Sequence, residues 1–346
     1  MSYSCNKENL LSLSLKDFDF KLYLMGKTMT VLKHSIIALA ITGILTPATS
    51  LADDDWINVY GKLHVTLDKV DEDGGDDQWE VNSNASRIGV KGKGSAGDGI
   101  EAFYQFEWQV DVADNSGSDN IKSRNQIVGV RGGFGEVFLG RHDTPTKKLQ
   151  KKIDVFGDLT GDIKKSFNAE KRASDIIQYS TPKMSGFKIK AAFIPGEDTG
   201  VNDGIADGTS VAFEYAIGDL DLGISFDADV EGDGVDTTRF VAQYKIDAWR
   251  FGFMYQTTDN NGLDGDGLMA SAKYTTGANT FKLQVIDSDA WEAGVSSKVK
   301  YTSQTSIGWD HKLGKKLTGT TYLTLSEEGA TGNDDSIFGV GLVLKF

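Results

Sequence analysis

Few residues of this 346-residue chain have a type and spacing that could do chemistry. Gly92-Lys93-Gly94-Ser95-Ala96-Gly97 fits G-x-G-x-x-G, a turn that cradles a pyrophosphate only when a helix N-terminus stands behind it. An alternating strand follows from Ile100, so the run reads as a hairpin turn. Asp229-Val230-Glu231-Gly232-Asp233-Gly234 opens like a calcium loop, but Phe240 occupies the twelfth position, where a bidentate carboxylate is required. Beyond residue 52 the histidines are His64, His142 and His311, and neither H-E-x-x-H nor G-x-S-x-G occurs. Zinc and nucleophilic hydrolysis therefore lack an apparatus. No catalytic residue, cofactor or metal is expected. What remains is charge held on a scaffold.

The scaffold is legible in the periodicity. Leu220, Leu222, Ile224 and Phe226 alternate with Asp221, Ser225 and Asp227. Ile100, Ala102, Tyr104, Phe106 and Trp108 alternate with Glu101, Gln105, Glu107 and Gln109, and Trp249, Phe251, Phe253 and Tyr255 with Arg250 and Gln256. Successive side chains of a strand point to opposite faces, so each segment is a ribbon with one apolar and one hydrophilic side. A soluble sandwich alternates too. These apolar faces, however, are rich in aromatics, and the runs approach ten residues, longer than ordinary strands. Short spacers such as Gly218-Asp219 and Lys245–Asp247 take turns with long acidic ones: Asp71–Asp77, Gly196–Asp207, Glu231–Asp236, Asp259–Asp266 and Glu327–Asp335. That rhythm predicts an all-β, 16-stranded antiparallel transmembrane barrel with short periplasmic turns and long external loops. At that size the lumen is an aqueous channel.

Composition narrows the class. Residues 25–52 read as a signal peptide: basic Lys27 and Lys33, an apolar Ile36–Leu45, then Ser50-Leu51-Ala52 before an acidic run. Residues 1–24 read as preceding the true start, at Met25 or Met29, and 53–346 as the barrel. The formal charge of −14 becomes two units more negative once five lysines and three acids leave with residues 1–52. Such acidity excludes nucleic acid as a partner. Cys5, the only cysteine, also lies in that segment, so no disulfide is expected. A mean hydropathy of −0.29 does not argue against a barrel, because only alternate residues meet lipid.

The region from 53 onward resembles the general (non-specific) diffusion porins of the Gram-negative outer membrane. The likeness rests on Val59-Tyr60-Gly61-Lys62, Ser86-Arg87-Ile88-Gly89-Val90-Lys91-Gly92, Arg124 with Gly129 and Gly132, and Phe134 to Arg141. It continues through Arg172, Gln178-Tyr179-Ser180-Thr181-Pro182 and Gly186-Phe187 to Phe346. The resemblance implies a third external loop folded into the lumen, its carboxylates facing a basic wall. By position the wall is Lys62, Arg87, Arg124 and Arg172, and the acids are Asp154, Asp158 and Asp162. Alternation independently puts Lys62 and Arg87 on the lumen face. The resemblance further implies a homotrimer set among outer-membrane lipid and lipopolysaccharide, passing ions and small hydrophilic solutes. Phe346 is similar to the signal read by the outer-membrane assembly machinery.

One departure matters. The segment Asp143–Lys171 holds Lys147, Lys148, Lys151, Lys152, Lys164, Lys165 and Lys171, more bases than acids. Net acidity suggests cation preference; these lysines suggest a neutral or anion-preferring pore. Three rivals stand beside the general channel. A substrate-selective channel for oligosaccharide or phosphate would line its lumen with aromatics, and only Phe103 and Tyr322 face inward by parity. A barrel enzyme needs a Ser/His or Asp/His constellation. A secreted adhesin would not form a closed barrel.

Overall fold

The computed structural model describes residues 55–73, 75, 77–114, 120–150, 153–197 and 203–346. The expected start at 1–24 and signal peptide at 25–52 lie outside the described residues, as do Lys151 and Lys152. The strands are β1 (Asp55–Glu72), β2 (Gln78–Ser83), β3 (Arg87–Gly97), β4 (Ile100–Val110), β5 (Ile121–Gly132) and β6 (Gly135–Asp143). After a short helix, α1 (Pro145–Leu149), come β7 (Arg172–Ser180), β8 (Phe187–Ile194), β9 (Gly208–Ile217), β10 (Leu220–Ala228), β11 (Val235–Ile246) and β12 (Trp249–Asn260). The series ends with β13 (Leu263–Thr276), β14 (Asn279–Ser288), β15 (Tyr301–Lys312), β16 (Leu317–Glu328) and β17 (Asp334–Lys345).

β1 pairs antiparallel with both β2 and β3, from β3 onward neighbours in sequence pair antiparallel, and β17 returns to β1 from Lys62↔Lys345 to Glu72↔Asp335. The sheet is closed and has no free edge. β2 and β3 pair with successive halves of β1, so they are one strand position interrupted at Asn84–Ser86, where Ala85 takes φ 49°. The barrel therefore has sixteen staves. The expected sixteen strands are kept with one correction, that this one is broken; the His64 main chain bridges the break, accepting from Asn84 N–H at 2.8 Å and donating to Ser86 Oγ at 2.9 Å.

A second correction concerns Asp259–Asp266, expected as a long loop. Asn261-Gly262 closes a two-residue turn at φ 53° and 89°, and β12 and β13 run together to Asn260↔Leu263. Asn-Gly supplies two left-handed residues, matching the strand twist of a tight hairpin. The acids lie along the strand ends instead.

Alternation sorts the faces as the periodicity requires. Leu63, Leu67, Phe251, Phe253, Leu283 and Leu342 are exposed on the outside, where lipid covers them. Phe187, Tyr215, Tyr244, Trp249, Tyr274 and Trp309 sit beside the short turns as an aromatic girdle; Phe187 stacks on Tyr215 at 4.2 Å and Trp249 lies 4.7 Å from Tyr274. His64, Thr66, Asp68, Ser225, Asp227, Gln256 and Thr258 face in.

The seam ends at Phe346, whose backbone exchanges hydrogen bonds with Gly61 at 3.0 and 3.1 Å. Its ring covers Gly61, where a Cβ would collide with that ring and stand 2.9 Å from the Arg87 carbonyl. Gly61→Val should overpack this corner at a cost of about 1–3 kcal/mol. The expected outcome is a lower melting temperature of the compact band on unboiled gels, with Leu63→Val, farther along the same face, nearly neutral.

Candidate functional site

Between β6 and β7, residues 144–150 and 153–171 turn inward and lie across the lumen. Thr144 caps α1 by accepting Lys147 N–H, and Pro145 supplies a first helical residue that has no N–H to satisfy. The crossing then lays Leu149, Ile153, Ile163 and Phe167 against Ala212, Val241, Met254, Met269 and Ile286 of the inner wall. At its tip Phe156 and Leu159 reach Val70, Tyr322 and Ile337, and Lys282 Nζ stands 4.9 Å above the Phe156 ring. Asp162 ends the tip: it accepts from Asp158 N–H at 2.8 Å and Lys164 N–H at 3.0 Å, capping a 3-10 turn, Ile163–Lys165.

The basic wall and the three acids are not brought together as one set. Asp158, in the left-handed region at φ 72°, pairs with Lys62 Nζ at 2.7 Å and Arg87 at 3.5 Å. Burial alone would raise its carboxyl, but the Lys62 and Arg87 charges outweigh that and hold it below the usual carboxylate range. Asp154 does not face the wall; it accepts the Phe156 N–H at 3.0 Å, and burial with the nearby Asp162 charge pushes its carboxyl well up. Arg124 pairs instead with Glu107 at 2.7 Å and Gln109 at 3.2 Å. It gets there through a bulge, Arg124 and Asn125 together opposing Glu107, because Phe106 pairs with Gln126 but Trp108 with Ser123. Arg172 donates to Asn125 at 2.7 Å and pairs with Asp143 at 2.9 Å, which Lys147 joins at 3.2 Å. An external vestibule of about 1580 Å³ lies over these groups and a cavity of about 650 Å³ below the crossing.

Comparison with known proteins supplies the family. Residues 36–332 match the model of the Gram-negative porin. The chain belongs to that family. Among its relatives, outer membrane porin protein 32 of Delftia acidovorans is 25% identical over 313 residues, 82% of this chain and 87% of that protein. Major outer membrane protein P.IB of Neisseria gonorrhoeae is 29% identical over 184 residues, 49% of this chain. The match spans about half the length of the Neisseria protein, 51%. Among solved structures, an anion-selective porin from Comamonas acidovorans superposes with a TM-score of 0.70 at 20% identity, over 84% of this chain and 99% of that one. OmpF of Salmonella typhi gives 0.68 at 15% identity, over 84% and 98%. These two share the fold of this outer-membrane barrel.

What holds the porin's crossing loop in place is a set of residues that the sequence reading missed. Arg239 on β11 is fully buried. It donates to Gln256 Oε1 at 2.8 Å, the Thr146 carbonyl at 3.3 Å, Glu170 at 2.8 Å and the Asn168 carbonyl at 3.0 Å. One guanidinium thus ties the outgoing and returning legs of the loop to the wall. Ser271 donates to the Ile153 carbonyl at 2.5 Å, Gln284 to that of Gly161 at 2.8 Å, and Thr146 to Asp227. Beneath them runs an apolar row of direct cross-strand partners, Val241↔Met254↔Met269↔Ile286. A signal for it exists in the sequence: Phe240-Val241, Phe253-Met254, Leu268-Met269 and Val285-Ile286 each break the alternation, and register makes the four breaks coincide.

Arg239→Met should leave Glu170 buried without its partner, a loss of about 3–5 kcal/mol for a broken buried pair. The expected readout is trypsin cleavage at Lys164 or Lys165 in a barrel that still runs as a compact band; adding Glu170→Gln should restore most of the protection. Burial pushes Glu170 up from 4.5 to about 7 despite Arg239 and Lys147. The docked loop therefore binds more protons than the released one between those values, so docking is strongest below pH 4.5 and weakens as pH rises through 7. Hydrogen exchange across residues 145–170, corrected for intrinsic rates, should be slower at pH 5 than at pH 8. Glu170→Gln should shrink that difference, leaving the share that comes from Asp154.

Proposed function

We propose that this porin is a passive diffusion channel for ions and small hydrophilic solutes, weakly preferring anions. The observation that carries the reading is the charge balance at the lumen crossing. Among the described residues, Lys62, Arg87, Arg124, Arg172 and Lys147 meet only Asp158, Glu107 and Asp143 within ion-pair distance. On this reading the four basic residues form the wall of a constriction and Asp158 is its counter-charge, while Asp154 and Asp162 shape the loop tip that presents it. Opposed charges across a narrow aqueous gap sort ions and orient dipoles without tight binding. A sugar-tracking channel is not supported: Phe103 lines the cavity below the crossing with Phe138, and Tyr322 is buried beneath the loop tip. Neither forms a path of aromatic surface.

Assembly belongs to the same proposal. Phe346, outward at the end of the seam, would act as the signal for outer-membrane assembly machinery, and the mature channel would be a homotrimer surrounded by lipid and lipopolysaccharide. Planar-bilayer recording tests the channel directly. Ohmic conductance in KCl is expected, with a reversal potential in a KCl gradient on the anion side. Asp158→Asn should raise the chloride preference, and Lys62→Gln should lower it, each by about two- to fivefold in permeability ratio for one screened charge. Absence of conductance, or a cation-side potential unmoved by Asp158→Asn, would sink the reading.

A further inference from the structure

The crossing loop meets the loop 289–300 on the external side. Lys300 N–H donates to the Lys165 carbonyl at 2.8 Å, and Ser288 Oγ donates to the Ser166 carbonyl at 2.9 Å. Backbone contact therefore brings four lysines, Lys164, Lys165, Lys298 and Lys300, to the lining of the external vestibule. Like charges brought together this way repel unless something answers them.

The acids facing the cluster answer only part of it. Asp162 pairs with Lys164 at 3.0 Å, and the Asp158 and Asp154 carboxylates also favour that ammonium. Asp335 pairs with Lys300 at 3.3 Å while also accepting the Tyr301 hydroxyl at 2.7 Å, and Glu231 faces Lys298 from the loop before β11. Among the described residues, Lys165 and Lys298 have no carboxylate within ion-pair distance. Burial pushes the Lys165 ammonium down, and Lys300, Lys164 and Lys298 push it further, with Asp162 opposing. The backbone that carries Lys164 and Lys165 is held. Ile163 and Phe167, on either side of Lys164 and Lys165, are buried in the wall cluster, so the 3-10 turn holds its lysines in place.

We propose that the junction of these two loops is a capture subsite for compact polyanionic solutes, phosphate esters and short phosphate chains, at the external mouth. Such solutes carry closely spaced charges that can bridge neighbouring ammonium groups, as chloride cannot. The vestibule, about 1580 Å³, admits solutes of that size. Because the four lysines face the lumen rather than the lipid-covered surface, the phosphate belongs to a free solute and not to a lipid headgroup. Below the cluster, Lys147 and Arg172 continue the basic lining toward the crossing. The subsite rests on the channel reading for its purpose, and it gives that channel a substrate class.

Calorimetric titration of inorganic tripolyphosphate into the detergent-solubilised protein tests the site without requiring conduction. The wild type should bind, more weakly at higher salt. Lys165→Gln with Lys298→Gln should bind about tenfold more weakly, for two charges lost at a half-exposed site. Lys188→Gln, lining the cavity below the crossing, should leave binding unchanged, and all variants should keep the compact band on unboiled gels. In bilayers, tripolyphosphate should interrupt the KCl current from the external side only. No binding, or binding equally strong in the double variant, overturns the subsite. A protein that conducts but does not bind loses only the subsite; one that binds but does not conduct keeps it and loses the channel.

Discussion

A chain that crosses hydrocarbon as strands must satisfy its backbone N–H and C=O groups inside the sheet, since nothing in lipid can accept or donate. Here that requirement is met by the return of β17 to β1, extended to Phe346 and Gly61. Everything else in the molecule follows from this closure. Once the sheet has no edge, every side chain faces either lipid or lumen, and a single position of slippage would exchange the two sets. The outer face can then be apolar and aromatic, and the inner face is free to be polar.

The freedom of the inner face is what the crossing loop exploits. A loop inside a channel must still find partners for its own backbone, and water alone would leave it undocked. The wall supplies those partners from side chains: Ser271, Gln284 and above all Arg239. An apolar row one layer away supplies burial for Leu149, Ile153, Ile163 and Phe167, each contributing about 1.5–3 kcal/mol of gross transfer energy. Gly252 leaves room for this approach, since a Cβ there would stand 2.6 Å from that of Ile153. Half of the lumen wall is thereby a docking strip. The other half, from β1 to β7, carries the ion pairs of Lys62, Arg87, Arg124 and Arg172.

Those charges are mostly neutralised in pairs, and the pairing is local. Asp158 answers Lys62 and Arg87, Glu107 answers Arg124, and Asp143 answers Arg172 and Lys147. The overall acidity of the chain has little bearing on this. Many of its acids lie along external strand ends and loops, such as Asp259, Asp264 and Asp266, where water screens them from the lumen crossing.

The alternating pattern was sufficient for the barrel, because side-chain period and membrane environment are both local matters. Sixteen staves, the outward aromatics and the inward Lys62 and Arg87 were all legible there. Arg124 and Arg172 come from motif order rather than from parity, and for Arg124 parity alone fails, since a bulge re-aims it. The roles of the loop acids were not legible. Asp154, Asp158 and Asp162 recur every fourth residue, yet only Asp158 meets the wall, because a left-handed turn and two backbone caps separate their directions. Arg239 and Glu170 lie 69 residues apart in the chain, and nothing local links them. Their pairing, and the meeting of Lys165 with Lys300, are made by the closure of the barrel, which brings distant strands to one height in the lumen.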